Sequence, residues 1–386
     1  MGQSVVGLFA GIGGLEVGLA DRGWHTELLC EIDPAAAAVL GHHFPDIPQV
    51  GDVATLRALP AGTELVAAGF PCQDLSQAGR TLGIGGERSG LVEHVFRLVR
   101  RRNGPRWLLL ENVPFMLKLD RGRAMHHLTS ELEALGYRWA YRVVDARAFG
   151  LPQRRQRVMM LASRTEDPRE VLFGGDVGAP ADGIHDERAC GFYWTEGIRG
   201  LGWAVDAVPT LKGGSTIGIA SPPAIRRPHT REIVTPGITD AERLQGFDPD
   251  WTRPALGLPG VRPGHRWKLV GNAVSVRMSS WLAERLAQPA PYSGNDDRPL
   301  QPGEPWPAAA WGQAGDAYRA ERSLWPIRAP YEHLDEFLTD PRALSARATA
   351  GFLRRARTGG LRFVPGFLDD VAEHLAVMGG DPLAAA

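Results

Sequence analysis

An α/β fold with a mostly parallel, doubly wound sheet is predicted by three observations in the 386-residue sequence. From residue 4 to about 163, short apolar runs alternate with amphipathic stretches, which is typical of βαβ units. Chemically reactive side chains follow these runs, as expected where ligands bind outside the carboxyl ends of parallel strands. The composition, 44% hydrophobic and 23% charged residues, is that of an ordinary globular protein and excludes disorder, collagen and membrane spans.

The alternation defines the elements of the first domain. Six apolar runs are predicted as strands: 4–9, 26–30, 65–70, 107–110, 140–144 and 157–162. Four stretches between them have helical spacing: 15–22, 35–43, 90–102 and 123–135. A compact helical return is predicted at about 275–288. The first domain is therefore expected to comprise residues 1–164 and 265–290.

The rest of the chain reads differently. Residues 165–264 contain many Gly and Pro and little periodicity, which predicts a smaller, irregular second domain. A Pro-rich stretch at 291–310 predicts a linker. Residues 311–386 are predicted to be a helical C-terminal extension of unknown role, with helices at 341–357 and 366–378.

Charge and cysteine content exclude several classes of protein. With 43 basic and 44 acidic residues, the formal charge of −1 excludes a histone-like polyanion binder, so any nucleic-acid contact must come from local basic patches. Cys30, Cys72 and Cys190 are odd in number and widely spaced, which argues against a disulfide scaffold and a metal site. The N-terminus lacks the basic region of a signal peptide, so a cytoplasmic protein is expected.

A Gly-rich loop follows the first strand and opens a helix, from Phe9 to Gly14. Such a loop lets a ligand approach backbone N–H groups at a helix N-terminus, although a mere tight turn explains the loop alone equally well. Glu31 ends the second strand, where an acid can accept hydrogen bonds from ribose hydroxyls, and Asp52 follows a third element. Together these acids favour a nucleoside-bearing cofactor.

Cys72 comes directly after another strand, behind Pro71. A cysteine at such a position can serve as a nucleophile if neighbouring charge stabilises its thiolate. The alternative is a small buried hydrophobic residue, which is the favoured interpretation for Cys30 and Cys190.

Charged residues also flank two later strands. Glu111 follows four apolar residues, where a carboxylate is costly unless it is paired or functional. Arg155 and Arg157 come immediately before an apolar strand, and because alternate side chains of a strand point the same way, they are expected to share one face. They indicate either a solvated basic edge or the recognition of an anion or a base.

These motifs together resemble the bacterial DNA (cytosine-5) methyltransferases of type II restriction-modification systems, over about residues 4–290. The matching segments, in the order of that family, are Phe9–Gly14, Glu31, Asp52, Gly69-Phe70-Pro71-Cys72-Gln73, Glu111-Asn112-Val113, Gln153-Arg154-Arg155-Gln156-Arg157, Arg243-Leu244-Gln245-Gly246-Phe247 and Gly271-Asn272-Ala273-Val274. The resemblance implies a Rossmann-like, S-adenosyl-L-methionine-dependent domain followed by a target-recognition domain at 165–264.

The resemblance also implies roles for individual residues. The Cys72 thiolate adds to C6 of cytosine, Glu111 hydrogen-bonds or protonates the ring, Arg157 holds the base carbonyl oxygen, and Arg155 supports the site and a nearby phosphate. The residues expected to bind S-adenosylmethionine are Phe9, Gly11, Gly13, Glu31, Ile32, Asp52, Pro71, Asn272 and Val274.

Double-stranded DNA is the expected substrate, and its target base must be flipped out of the helix. Residues 73–90 are expected to close over that base, with contacts from Gln73, Ser76 and Arg88. The residues expected to contact DNA from the recognition domain are Thr210, Leu211, Lys212, Arg226 and Arg227.

Three rival functions are considered: an RNA cytosine-5 methyltransferase, a catalytically silent DNA-binding relative, and a nicotinamide-dependent oxidoreductase. The biological setting is expected to be host-DNA protection in a restriction-modification or related defence system. The protein is expected to act as a monomer and not to bind a membrane. A protein of the defence system is a possible partner.

Overall fold

The computed structural model describes residues 3–71, 90–101, 104–181, 185–213 and 220–382. The chain divides into two compact units. The first unit comprises Met1–Phe149, Gln156–Ala179 and Ala273–Ala329, and the second comprises Gly150–Arg155, Pro180–Asn272 and Pro330–Ala386. Strands and helices are numbered below in chain order.

The first unit is built on a ten-stranded sheet in the order β14-β16-β15-β6-β8-β5-β4-β1-β2-β3. Its strands are β1 Ser4–Leu8, β2 His25–Cys30, β3 Gln49–Val50, β4 Leu65–Ala68, β5 Trp107–Asn112, β6 Arg138–Asp145, β8 Gln156–Ser163, β14 Arg298–Pro299, β15 Ala309–Gln313 and β16 Asp316–Arg319. Strands β3, β2, β1, β4 and β5 are parallel neighbours, and β8 lies antiparallel between β5 and β6. The six predicted strands are thereby confirmed.

Within its described residues, the first unit contains six α-helices, and the first three of them connect parallel strands of this sheet. The six helices are α1 Gly14–Ala20, α2 Pro34–His43, α3 Leu91–Val99, α4 Arg123–Ala134, α5 Pro168–Leu172 and α8 Val276–Ala287. The start of α2 is fixed by Asp33, whose side chain accepts hydrogen bonds from the backbone N–H groups of Ala35 and Ala36. The core lies against the central strands, where Val6, Val66 and Leu108 are fully buried.

The second unit contains an antiparallel sheet in the order β10-β9-β12-β13-β17 and a separate parallel pair of β7 and β11. Its strands are β7 Gln153–Arg154, β9 Cys190–Phe192, β10 Ala204–Val205, β11 Val208–Pro209, β12 Ala224–Arg226, β13 Ile233–Thr235 and β17 Arg342–Ala343. Its helices are α6 Ile238–Arg243, α7 Gly264–Asn272, α9 Leu334–Phe337, α10 Ala346–Thr358 and α11 Phe367–Val377.

The C-terminal part of the chain differs from the predicted linker at 291–310 and helical extension at 311–386. Strand β15 pairs with β6, and β16 and β14 follow it, so residues 298–319 extend the first sheet. Pro299 is accommodated because β14 is an edge strand, and the other prolines of this stretch lie outside the strands. Strand β17 pairs with β13, and Phe352 and Phe367 of α10 and α11 pack against Phe192 of β9. Residues 330–382 are therefore part of the second unit's core.

Of the helices in the described part of the chain, none combines the length and the apolar character that a membrane span requires.

Candidate active site

The turn after β4 is held against the end of β5. The Asn112 side-chain amide donates a hydrogen bond to the carbonyl oxygen of Phe70 at 2.9 Å, and both residues are buried. A Cβ atom at Gly69 would lie 3.5 Å from Oε2 of Glu111 and 3.5 Å from a methyl carbon of Val274. The turn that leads to Cys72 thus places its backbone directly beside the Glu111 carboxylate.

Glu111 forms a buried ion pair with Arg157. The Arg157 Nε atom lies 2.9 Å from Glu111 Oε1, and each side chain is 9% exposed. The two residues meet because β8 runs antiparallel to β5, which brings the first residues of β8 to the carboxyl end of β5. Burial lowers the pKa of Arg157, and the nearby Glu111 carboxylate opposes that change.

The Gly-rich loop is tied to the end of β2 by Glu31. Its Oε2 accepts a hydrogen bond from Gly11 N–H at 2.7 Å, and its Oε1 accepts one from Asp33 N–H at 2.8 Å. Burial raises the pKa of Glu31, and these two backbone hydrogen bonds oppose the rise because they stabilise the carboxylate.

The two glycines of the loop have different surroundings. Both have a positive φ, 58° at Gly11 and 89° at Gly13. A Cβ atom at Gly13 would lie 2.7 Å from the Phe44 ring, whereas one at Gly11 would meet no described atom within 4 Å. The backbone at Gly11 therefore faces open space that a ligand can occupy.

Further candidate ligand-binding residues follow β2 and β3. Ile32 is 71% exposed although it is a large apolar residue, and Asp52 is partly buried. The two strand ends are joined because Glu31 N–H donates to the Val50 carbonyl oxygen at 3.0 Å. An open loop flanked by two carboxylates and an exposed apolar side chain suits a ligand with a sugar and an aromatic base.

Arg155 belongs to the second unit and lies between β7 and β8. Its guanidinium donates to the carbonyl oxygens of Leu211 at 3.5 Å and Gly271 at 3.3 Å, and the side chain is buried. The prediction that Arg155 and Arg157 alternate along one strand is wrong, because the strand is interrupted at Arg155. The structure shows Arg155 bound to backbone carbonyl groups.

Sequence reasoning gave no role to Gln153, which is the centre of a buried network. Its Oε1 accepts from Leu211 N–H at 3.0 Å, and its Nε2 donates to the Leu244 carbonyl oxygen at 2.7 Å. Gln245, also buried, donates to the Val270 carbonyl oxygen at 2.8 Å. Both glutamines lie in segments that carry the family resemblance, but the resemblance gave no sign of this network.

Comparisons with known proteins agree with this geometry. A family model described as C-5 cytosine-specific DNA methylase matches residues 3–188. The type II methyltransferase M2.BsuMI of Bacillus subtilis (strain 168) is 51% identical over 364 residues, which are 92% of this chain and 93% of that protein. This chain belongs to the C-5 cytosine-specific DNA methylase family.

More distant relatives of this methylase are also methyltransferases, and one of them has a solved structure with a similar fold. The type II methyltransferase M.MspI of Moraxella sp is 26% identical over 304 residues, which are 73% of this chain and 70% of that protein. The crystal structure of S. pombe Dnmt2 methyltransferase has a TM-score of 0.53 at 16% identity, covering 74% of this chain and 98% of that chain. The latter similarity supports the fold, and the predicted fold class is confirmed.

The structure changes the interpretation of several residues that were expected to contact DNA. Leu211 is only 2% exposed and Arg226 only 5%, and the Arg226 Nε atom donates to Asp370 at 2.8 Å. These two side chains are internal, so they do not present a surface to DNA. Arg227 is partly exposed and pairs with Asp335 at 2.6 Å.

Thr210 and Lys212 remain accessible in this methylase. Thr210 is partly buried and its hydroxyl donates to the Arg154 carbonyl oxygen at 2.8 Å. Lys212 pairs with Glu196, and its Nζ lies 3.9 Å from the centre of the Tyr193 ring. Asn272 is exposed at the end of α7 in the second unit. The predicted residues Cys72, Gln73, Ser76 and Arg88 lie outside the described residues.

Proposed function

We propose that this methylase transfers a methyl group from S-adenosylmethionine to C5 of a cytosine flipped out of duplex DNA, with Cys72 as the nucleophile. The observation that carries the proposal is the buried ion pair of Glu111 and Arg157 beside Gly69, at the end of the turn that leads to Cys72. Family membership supplies the reaction class, and the geometry supports Glu111 and Arg157 as the groups that act on the base.

Cys72 is the cysteine best suited to this role. Carbon C5 of cytosine is a poor nucleophile until a thiolate adds to C6 and breaks the conjugation of the ring. Burial raises the pKa of Cys30 to about 11 and that of Cys190 to about 12, so both thiols stay protonated at neutral pH. Neither competes with Cys72 as a nucleophile.

Glu111 and Arg157 would act on the bound base. Addition of the thiolate to C6 places negative charge on the ring, and the Glu111 carboxyl group can hydrogen-bond to N3 and the amino group. Arg157 keeps Glu111 in place through Nε and can offer its other N–H groups to the base carbonyl oxygen. Once C5 carries the methyl group, transfer of the C5 proton to a base and elimination of the Cys72 thiolate from C6 would restore the aromatic ring and the free enzyme.

The loops after β1, β2 and β3 of the first unit would hold the adenosine part of the cofactor. When bound, S-adenosylmethionine supplies an electrophilic methyl group on a positively charged sulfur. Glu31 would accept hydrogen bonds from the ribose hydroxyls, Asp52 from the adenine amino group, and Ile32 and Phe9 would flank the adenine. The residues proposed for the methionine end are Gly11, Gly13, Pro71, Asn272 and Val274.

We infer that the reaction protects the DNA of the host cell, in its cytoplasm, within a restriction-modification or related defence system. The type II methyltransferase names of the relatives support this setting. The enzyme would act as a monomer on its DNA. A partner protein of the same defence system stays a prediction from the sequence.

The proposal is tested by incubating the purified chain with methyl-labelled S-adenosylmethionine and genomic DNA that lacks cytosine methylation, and in parallel with total RNA from the same cells. Label should enter the DNA as 5-methylcytosine, and Glu111→Gln should lower the rate by about 10²- to 10⁴-fold with cofactor binding retained. Label in RNA alone would favour an RNA methyltransferase. Binding to DNA without transfer by the wild type would favour a catalytically silent relative.

A further inference from the structure

We propose that the exposed face of α10, in the C-terminal part of the chain, binds the phosphate backbone of the DNA substrate. This inference rests on the proposed function, because it names a second surface for the same substrate. Residues 330–382 follow the last segment that carries the family resemblance, and that resemblance assigns them no role.

The arginines of α10 are concentrated on one face of the helix. Arg354 follows Arg347 by seven residues, or about two turns, and Arg357 follows after three more, so these side chains lie within roughly a quarter of the circumference. All three are exposed. The opposite face is buried through Thr349, Phe352, Leu353 and Ala356.

This face carries positive charge that nothing in the described structure neutralises. The helix contains four arginines and no acidic residue. The guanidinium groups of Arg347, Arg354 and Arg357 form no ion pair within the described parts of the chain. Ala350 and Gly351 lie between Arg347 and Arg354, so a phosphate backbone can approach the helix closely.

Acidic residues on the neighbouring helix α11 do not cancel this charge. Asp370 is buried and its carboxylate pairs with Arg226 at 2.8 Å. Glu373 lies 3.7 Å from Arg231. Asp370 and Glu373 therefore serve other arginines of the second unit, and the third acid of α11, the exposed Asp369, forms no ion pair with an arginine of α10 within the described residues.

The basic helix is also connected to the segment expected to contact DNA. The fourth arginine, Arg355, donates to the carbonyl oxygens of Trp194 at 2.6 Å and Glu196 at 3.2 Å. The Glu196 carboxylate in turn pairs with Lys212, next to Thr210 and Leu211. Lys212 and α10 therefore both contact Glu196, and one duplex can reach them together.

The test replaces Arg347, Arg354 and Arg357 by glutamine in the full chain. Binding to a mixed-sequence DNA duplex of about 40 bp is measured as a function of salt, and methyl transfer is measured at saturating DNA. Each lost phosphate contact lowers the slope of log affinity against log salt by about 0.9, so we expect a fall of about 2 to 3 and binding about tenfold or more weaker. The maximal rate of methyl transfer should be unchanged.

A matched variant replaces Arg57, Arg298 and Arg328, three exposed arginines of the first unit that form no ion pair within the described residues, by glutamine. This control variant loses the same number of positive charges. Its slope of log affinity against log salt should stay closer to the wild-type value than that of the α10 variant. An α10 variant that is folded and has the wild-type slope would overturn the inference while leaving the proposed function intact. A wild-type chain that neither binds nor methylates DNA would overturn both.

Discussion

Arg157 Nε lies 2.9 Å from Glu111 Oε1, and the two side chains are almost completely enclosed. The pair joins two adjacent strands, β5 and β8, at the edge where the chain leaves β4 for Cys72. Two opposite charges that are held out of water in this way are costly to separate. The pair therefore fixes the position of the carboxyl group that we propose acts on the base.

Replacing Arg157 by methionine should destabilise the protein as well as stop methylation. The substitution leaves the Glu111 carboxylate buried without this partner, so the free energy of unfolding should fall by about 3 to 5 kcal/mol. Chemical denaturation measures this change. Together with the Glu111→Gln single variant and the double variant of Arg157→Met and Glu111→Gln, this substitution forms a double-mutant cycle.

In that cycle, the double variant should recover part of the loss, because the neutral amide no longer needs a positive partner. Strictly additive losses would contradict a direct interaction between the two residues. Catalysis should not recover in the double variant, because both groups are proposed to act on the base.

Glu16 should make stability depend on pH. It is fully buried, and burial, with a smaller contribution from Glu31, raises its pKa to about 7 against the opposing effect of its own backbone N–H. The folded state holds the proton of Glu16 more tightly than the unfolded state does. The contribution of Glu16 to the free energy of unfolding is therefore fully present below about pH 4.5 and is lost as the pH rises through 7. The loss should amount to about 3 kcal/mol.

The Glu16→Gln variant removes this titration without changing the size of the side chain. Between pH 5 and pH 8, the free energy of unfolding should fall further in the wild type than in this variant. The difference between the two falls should be about 3 kcal/mol. Denaturation curves at several pH values measure the difference. Parallel pH profiles for the two proteins would show that Glu16 is ionised in the folded state.

Gln153→Ala should weaken the second unit and its contact with DNA. The substitution leaves the Leu211 N–H and the Leu244 carbonyl oxygen without their partner, at a cost of about 1 to 3 kcal/mol each if water cannot replace it. DNA affinity should fall and cofactor affinity should be retained. The control is Gln156→Ala in the same motif, whose side chain is partly exposed; equal effects of the two substitutions would contradict a special role for Gln153.

Arg226→Met should act on stability and leave the salt dependence of DNA binding unchanged. Its partner Asp370 is buried, so loss of the arginine should cost about 3 to 5 kcal/mol. Arg227→Met breaks a more exposed pair and should cost about 1 kcal/mol or less. Suppose instead that Arg226→Met lowers the slope of log DNA affinity against log salt and leaves the free energy of unfolding almost unchanged. That result would support the DNA contact that the sequence predicts for Arg226.

The sequence predicts the first unit well because its central strands are buried on both faces. Leu108 to Leu110 form an uninterrupted apolar run, and a glutamate directly after such a run has to be paired or functional. The position of Glu111 follows from this pattern. Its partner does not, because the antiparallel direction of β8 is a property of the whole sheet.

The C-terminal region shows why the rest could not be predicted. Its strands have two to five residues, which is too short for a periodic pattern to stand out. Trp306 stands among prolines, yet it is buried and donates a hydrogen bond to the Gly122 carbonyl oxygen at 3.1 Å. The contacts that bury such residues come from distant parts of the chain. In the same way, the interruption of the strand at Arg155 depends on the pairing of β7 with β11.

The central claim is a Cys72-dependent methylation of cytosine in DNA. The most direct test expresses the wild type and Cys72→Ala in a bacterial host without cytosine methylation and maps 5-methylcytosine across its genome. We expect methylation confined to one short sequence motif in cells with the wild type and none in cells with Cys72→Ala. Equal methylation by both chains, or an unmethylated genome in cells that contain soluble wild-type protein, would contradict the claim.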